Sequence, residues 1–297
     1  MAIKVGTASW TDKTLIACKR FYPPGCSSPE TRLRHYASVF PLVEVDSSYY
    51  GLPSAQNALL WTERTPTGFT FNVKAFRLLT GHQTGPEALP KEIAMAIPAT
   101  GKKNLYYRDV PADILDEVWR RFLEALGPLR QAGKLGAVLF QLPPWLTSGP
   151  EGRAHLDECL RRMAGYTVAV EFRNKSWLDE KHVASTLAFE REHGVVHVVV
   201  DAPPGVTNRA QSVWSVTNSE LAMVRLHGRN AETWNVVGAT SAAARFNYDY
   251  NDNELRDLVG PVHELAEQAA DTHVVFNNCY EDYATKNARS LMRMIGL

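Results

Sequence analysis

Apolar residues gather in eight short runs separated by longer amphipathic stretches. The runs are Ile3–Ser9, Leu42–Asp46, Phe69–Ala75, Gly136–Gln141, Thr167–Phe172, Val195–Asp201, Leu221–His227 and Thr272–Asn277. Most are continuously rich in Val, Ile, Leu and Phe at their centres, the pattern of strands buried on both faces. The stretches between them carry helical periodicity. Ser28 and Pro29 supply an N-cap and a first-turn proline ahead of the stripe Leu33, Tyr36, Ala37 and Phe40. Asp113–Leu129 repeats Ile114, Leu115, Val118, Trp119, Phe122 and Leu126 on one face. Further helices are predicted near Ser54–Arg64, Gly152–Met163, Glu180–His193, Asp252–Ala270 and Asp282–Ile295. The pair Asn251 and Glu254 resembles a capping box at the start of the fifth of these six helices after Ser28.

Eight strands alternating with helices predict one domain over residues 1–297, an α/β protein of the TIM (β/α)8 barrel type. An open doubly wound sheet is the alternative, but no G-x-G-x-x-G follows the first strand. Two stretches depart from a plain barrel. Thr80–Val110 reads as an insertion after strand 3, and Ala202–Glu220, rich in Pro, Gly and Asn, as a degenerate unit after strand 6.

Composition narrows the function classes. Lys plus Arg and Asp plus Glu both number 32. That balance does not favour a nucleic-acid partner, although a local basic cleft remains compatible with it. No apolar run approaches the roughly 18 residues of a membrane span, and the start MAIKVGTASW lacks the plan of a secretory signal. Four cysteines in 297 residues are not a disulfide framework. The expectation is a cytoplasmic, reduced protein without a membrane partner.

In a parallel barrel the ligand face lies at the carboxyl ends of the strands. There the chain places Trp10; Glu44 and Asp46 with Tyr49; Lys74; Gln141; Glu171 and Arg173 with Trp177; Asp201; Arg225, His227 and Arg229; and Asn277 with Asn278. Glu44/Asp46, Glu171/Arg173 and Arg225/His227 are spaced by two, so each pair shares a strand face. If those faces point inward, acids and bases meet in one mouth, the setting in which enzymes tune proton transfer. The competing reading is an ion-pair network that closes the barrel core. His227 is the proton-transfer candidate by residue type, with Glu44 or Glu171 as a second acid–base group. Arg225, Arg229 and Lys74 are candidate anion ligands. Trp10, Trp145, Trp177 and Trp234, with Tyr49, Tyr50 and Phe76, suit a planar ligand or simple loop packing.

Metal-binding motifs such as H-E-x-x-H and C-x-x-C are absent. Cys18 and Cys26 follow strand 1 and Cys279 follows strand 8, its neighbour in a closed ring. Three thiolates there would suit an iron–sulfur cluster with one open iron, or a soft metal; packing thiols are the alternative.

Beyond these residues, longer segments carry a resemblance. They are Gly6-Thr7-Ala8-Ser9-Trp10, Phe21-Tyr22-Pro23, Tyr36-Ala37 with Phe40, Val43–Tyr50, Leu52-Pro53-Ser54, Trp61 with Thr65-Pro66 and Gly68-Phe69, and Val73-Lys74-Ala75. Phe140–Pro144, Val170–Arg173 with Ser176-Trp177, Arg225–Arg229, Phe276-Asn277-Asn278, and Ala284 with Asn287-Ala288 follow in order. Together they resemble the family called domain of unknown function 72, or YecE-like. The resemblance implies a (β/α) barrel similar in architecture to xylose-isomerase and endonuclease-IV type barrels, without a settled activity. The family's commoner first-strand motif has Ser and Gly where this chain has Ala8 and Ser9. The insertion and the ending Cys279–Tyr283 look like one branch of the family. Related metal-dependent barrels use several histidines and carboxylates, whereas here only His227 occupies a clear strand end, so no zinc site carries over.

Three functions follow as expectations. The first is an enzyme acting on a small polar or anionic ligand, such as a sugar phosphate or nucleotide derivative, by isomerisation, lyase chemistry or hydrolysis. The second is a nucleic-acid-processing barrel of endonuclease-IV-like type, by fold analogy. The third is a noncatalytic ligand sensor.

Overall fold

The structure, a computed structural model, describes residues 2–98, 101–203, 210–231 and 246–297. Eight parallel strands close a ring in chain order. They are β1 (Ala2–Ala8), β2 (Leu42–Val45), β3 (Thr70–Lys74), β4 (Leu135–Gln141), β5 (Val168–Glu171), β6 (Val196–Asp201), β7 (Leu221–Leu226) and β8 (Asp271–Phe276). β1 pairs with β2 on one side and β8 on the other, with Gly6 opposite Leu42 and Thr7 opposite Phe276. The helices are α1 (Lys13–Cys18), α2 (Pro29–Ala37), α3 (Ser47–Tyr50), α4 (Ala55–Glu63), α5 (Lys91–Ala96), α6 (Ala112–Gln131), α7 (Pro150–Arg162), α8 (Val183–Glu192), α9 (Asp252–Ala266) and α10 (Tyr283–Met294). No helix among the described residues is long and apolar enough to cross a membrane.

The strand alternation sorts apolar residues into two cores. A small inner cluster holds Ala8, Leu42, Ala137, Leu139, Ala169, Val196, Val198, Met223 and Val275. The larger cluster packs Val43, Val45, Val73, Phe140, Val170, Val224 and Phe276 against helical side chains such as Leu33, Trp119, Phe122, Leu258 and Leu291. One face of each strand therefore fills the barrel and the other meets the helical shell.

Close packing is explicit at Gly6, where a Cβ would lie 1.9 Å from the Leu42 carbonyl oxygen. Beside it the buried Tyr36 hydroxyl accepts from the Thr7 N–H at 2.8 Å and donates to Leu42 O at 3.0 Å, pinning β1 to β2. Between β3 and β4 the register shifts, as Phe71 faces Leu135 while Val73 faces Val138. Asn72 fills this bulge: its Oδ1 accepts from the Ala137 N–H at 3.0 Å and lies 3.1 Å from His273 Nδ1.

Sequence and structure agree closely at the strands and differ at helix ends. The caps are as expected: Ser28 forms a capping box with Thr31, and Asn251 forms one with Glu254. α9 stops at Ala266 rather than Ala270, because the chain must turn there to enter β8 at Asp271. α8 begins at Val183 rather than Glu180, because Asp179 Oδ1 first accepts the N–H groups of Lys181 and His182 in a turn. The insertion after β3 contains α5 and an isolated bridge between Thr84 and Leu105. Residues 210–218 form neither helix nor strand, as expected of a degenerate unit; Trp234 lies outside the described residues.

Candidate functional site

Inward alternation brings Glu44 of β2, Glu171 of β5 and Arg225 of β7 to the same level, at the carboxyl ends of their strands. All three are fully buried. Arg225 donates from Nη2 and Nε to the two carboxylate oxygens of Glu44, at 2.5 and 3.0 Å. Its Nη1 pairs with Glu171 Oε2. Arg173 pairs with the other oxygen of Glu171 and donates from Nη2 to Gln141 Oε1 at 3.0 Å. Side chains from four strands and the loop after β5 thus form one ionic floor across the barrel.

His227, one residue beyond β7, completes the floor. Its Nε2 is 3.4 Å from Glu171 Oε1, and its Nδ1 is 2.7 Å from the amide nitrogen of Asn277. With the Asn277 amide assigned as donor, His227 is neutral with its proton on Nε2, directed at Glu171. Burial, followed by the charge of Arg173 and Arg225, pushes its pKa well below the ordinary histidine value, although Glu171 opposes this. Burial pushes Glu44 above the usual carboxylate range, partly offset by Arg225. Burial also pushes Glu171 upward, but Arg173, Arg225 and His227 together pull it well below that range.

Above this floor, Lys74 Nζ donates to Asp46 Oδ1 at 2.8 Å. The Asp46 side chain keeps a quarter of its surface open. Lys74 Nζ also lies 4.4 Å from the centre of the Tyr49 ring. Tyr49 meets His82 edge-on at 5.2 Å, and His82 meets Trp145 at 5.7 Å, so residues of α3, the insertion and the loop after β4 form one aromatic wall. Burial and then Lys74 and Arg77 hold His82 neutral, its pKa pushed down to about 3. Beyond Trp145 a cavity of about 440 Å³ is lined by Tyr106, Tyr107, His155 and Glu158, among others.

The remaining sequence candidates divide by what they touch. Arg229 forks onto Asp201 at 2.9–3.1 Å and reaches Glu254 at 3.5 Å, while Tyr250 OH donates to the same Asp201 at 2.6 Å. Arg225, Arg229 and Lys74, expected together as anion ligands, are each matched to carboxylates of the protein. Asn278 turns away from its neighbour Asn277: its amide donates to Tyr248 O and Asn287 Oδ1, both at 2.8 Å, bracing the segment before α9. Trp10 packs edge-on against Trp61 of α4 and Phe71, in the helical shell rather than the mouth. Trp177 stacks on Phe172 and donates from Nε1 to Leu146 O at 2.9 Å, tying the loops after β4 and β5 together.

The three thiols do not form a cluster. Cys18 Sγ faces Leu15 O at 3.2 Å and Cys279 Sγ faces Ala8 O at 3.1 Å, while Cys26 packs partly buried against the large core. Among the described residues no group of three His, Cys, Asp or Glu side chains is placed to hold a metal ion. Sequence reasoning had missed His82 and Arg77. Their signal was position: both lie within eight residues of Lys74, on the ligand side of the barrel.

Residues 4–297 match the family described as "Protein of unknown function DUF72". UPF0759 protein YunF of Bacillus subtilis (strain 168) is 32% identical over 297 residues, which cover 99% of this chain and 95% of that protein. The crystal structure of a DUF72 family protein from Enterococcus faecalis V583 superposes with a TM-score of 0.81 at 28% identity, covering 99% of this chain and 96% of that one. A DUF72 family protein from Thermotoga maritima MSB8 gives 0.77 at 27% identity, with full coverage of both chains.

Proposed function

We propose, from the premise that this chain belongs to the DUF72 family, that its barrel mouth binds a small polar ligand and acts on it by acid–base chemistry. The observation that carries this reading is the partly open Asp46–Lys74 pair, set above a buried floor of fixed charge and beside an aromatic wall. A carboxylate and an ammonium at 2.8 Å are a base and an acid already in place. Asp46 and Lys74 are therefore the candidate catalytic residues, the groups that touch the ligand.

Arg173 and Gln141 orient the ligand from the edge of the floor. Glu44, Glu171, Arg225 and His227 act as positioning residues. Their complete burial suits them to fixing the rim electrostatically better than to meeting a substrate. The wall formed by Tyr49, His82 and Trp145 supplies flat apolar surface for a sugar or base, so a sugar-phosphate or nucleotide-like molecule is the class we favour. The matched charges of the mouth argue against a polyanionic nucleic-acid strand as its ligand.

A thermal-shift screen of sugars, sugar phosphates, nucleosides and nucleotides tests the reading, since a ligand bound to the native state raises the melting temperature. Turnover of any hit should fall by about a hundredfold or more in D46N and K74M, both checked by cooperative thermal unfolding to be folded at the assay temperature. Turnover that survives both substitutions ends the acid–base assignment. Ligand binding indifferent to Arg173→Gln and Trp145→Ala ends the placement in the mouth.

A further inference from the structure

Among the described residues, the cations of the mouth are matched to carboxylates with one exception. Lys74 has Asp46, Arg225 has Glu44 and Glu171, Arg173 has Glu171, and Arg229 has Asp201 and Glu254. Arg77 is different. Its Nε is buried and has no hydrogen-bond partner, and no carboxylate among the described residues pairs with its guanidinium.

Its backbone is held firmly. The Arg77 N–H donates to Tyr49 O at 3.1 Å, and the Arg77 carbonyl accepts from the His82 N–H at 2.9 Å and from Thr80 Oγ1 at 3.0 Å. The guanidinium carbon lies 5.4 Å from the centre of the Tyr49 ring, the same ring that Lys74 approaches at 4.4 Å. Exposed Tyr50 and half-buried Tyr49 flank this position from α3. Two cations thus share one aromatic ring, and among the described residues only Lys74 has a carboxylate partner. A buried N–H without an acceptor favours any molecule that brings one, and a planar guanidinium fork matches the spacing of oxygens on phosphate or carboxylate.

We propose that Arg77 anchors an oxyanion subsite at the rim of the barrel mouth, taking the phosphate or carboxylate end of the ligand beside Tyr49. The inference deepens the reading above and rests on the mouth being the ligand site. It assigns the ligand's charge to a residue just past β3, away from the positions near the last two strands where barrels often hold phosphate. Lys74 and Asp46 would then face the part of the ligand next to its charged end.

Inorganic phosphate, followed by acetate, titrated at low ionic strength into wild type, R77Q, R77K and the distant surface variant R256Q tests it. Wild type and R256Q should show saturable binding by calorimetry and a raised melting temperature. R77Q should bind at least about tenfold more weakly, and R77K should lie between them, because it keeps the charge and loses the fork. Phosphate favoured over acetate assigns the subsite to phosphate esters, and the reverse order assigns it to carboxylates. Absence of saturable binding of both anions, or equal binding by R77Q and wild type, overturns the proposal. A neutral sugar or nucleoside that needs Trp145 but ignores R77Q would leave the mouth reading standing. Phosphate binding lost in R77Q with no turnover for any hit would uphold the subsite while ending the acid–base reading.

Discussion

Arg225→Met is the most informative single change to this barrel. It removes the cation between two fully buried carboxylates. The two would not suffer equally. Glu171 keeps Arg173, whereas Glu44 loses both donors that fork onto it and retains only the longer-range influence of Lys74. One uncompensated buried charge remains, which places the expected loss of stability at about 3–5 kcal/mol.

The sign of its pH dependence follows. Burial already raises Glu44 above its ordinary value in the presence of Arg225, and without that cation it rises further. A carboxyl whose folded pKa exceeds its unfolded value destabilises the fold increasingly as pH climbs from the unfolded value through the folded one. The gap between wild type and R225M, measured by urea denaturation, should be larger near about pH 8 than near about pH 5.5. The double variant E44L/R225M, which removes the stranded charge as well, should recover most of the loss. A loss below about 1 kcal/mol, or a gap that widens on acidification, would refute the picture of a charge-matched floor.

Two further outcomes follow from local geometry. Ser9 closes β1 at φ 105°, where a non-glycine residue is strained, so Ser9→Gly should raise stability by about 0.5–1 kcal/mol in the same denaturation assay; a drop in stability would show that the Ser9 side chain outweighs the strain. His82 and His273 are buried neutral with folded pKa values pushed down to about 3, mainly by burial, so their contribution is lost as pH falls below the unfolded histidine value. With the slope rising from half its full value at the unfolded pKa toward about 1.4 kcal/mol per unit per histidine, the pair should cost about 3 kcal/mol between roughly pH 6.5 and 5; a flat stability profile over that window would contradict their neutral burial.

The strands were legible because each run is apolar on both faces, which is what a barrel wall between a filled interior and a helical shell demands. Capped helices were legible for a local reason, since Ser28 and Asn251 bond within their own first turns. The directions of residues past the strand ends were harder to read. Counting by twos extends along β1 only to Ala8, because the positive φ of Ser9 breaks the alternation and Trp10 swings into the helical shell. Asn277 and Asn278 are neighbours with opposite destinations, one at His227 and the other at Tyr248 and Asn287. Which carboxylate neutralises which cation is a tertiary fact: Arg225 and Glu44 are 181 positions apart. The same limit hid Arg77, whose interest lies in having no carboxylate partner among the described residues.

The ionic floor has a mechanical consequence. β2, β5 and β7 are separated around the ring by other strands, yet Arg225 grips Glu44 and Glu171 at once. It works as a tie-rod across the bore, coupling distant staves that backbone ladders link only through their neighbours. Loosening one stave would pull on the others, so the top of the cylinder should yield as a unit, and slow hydrogen exchange at those three strand ends should be lost together.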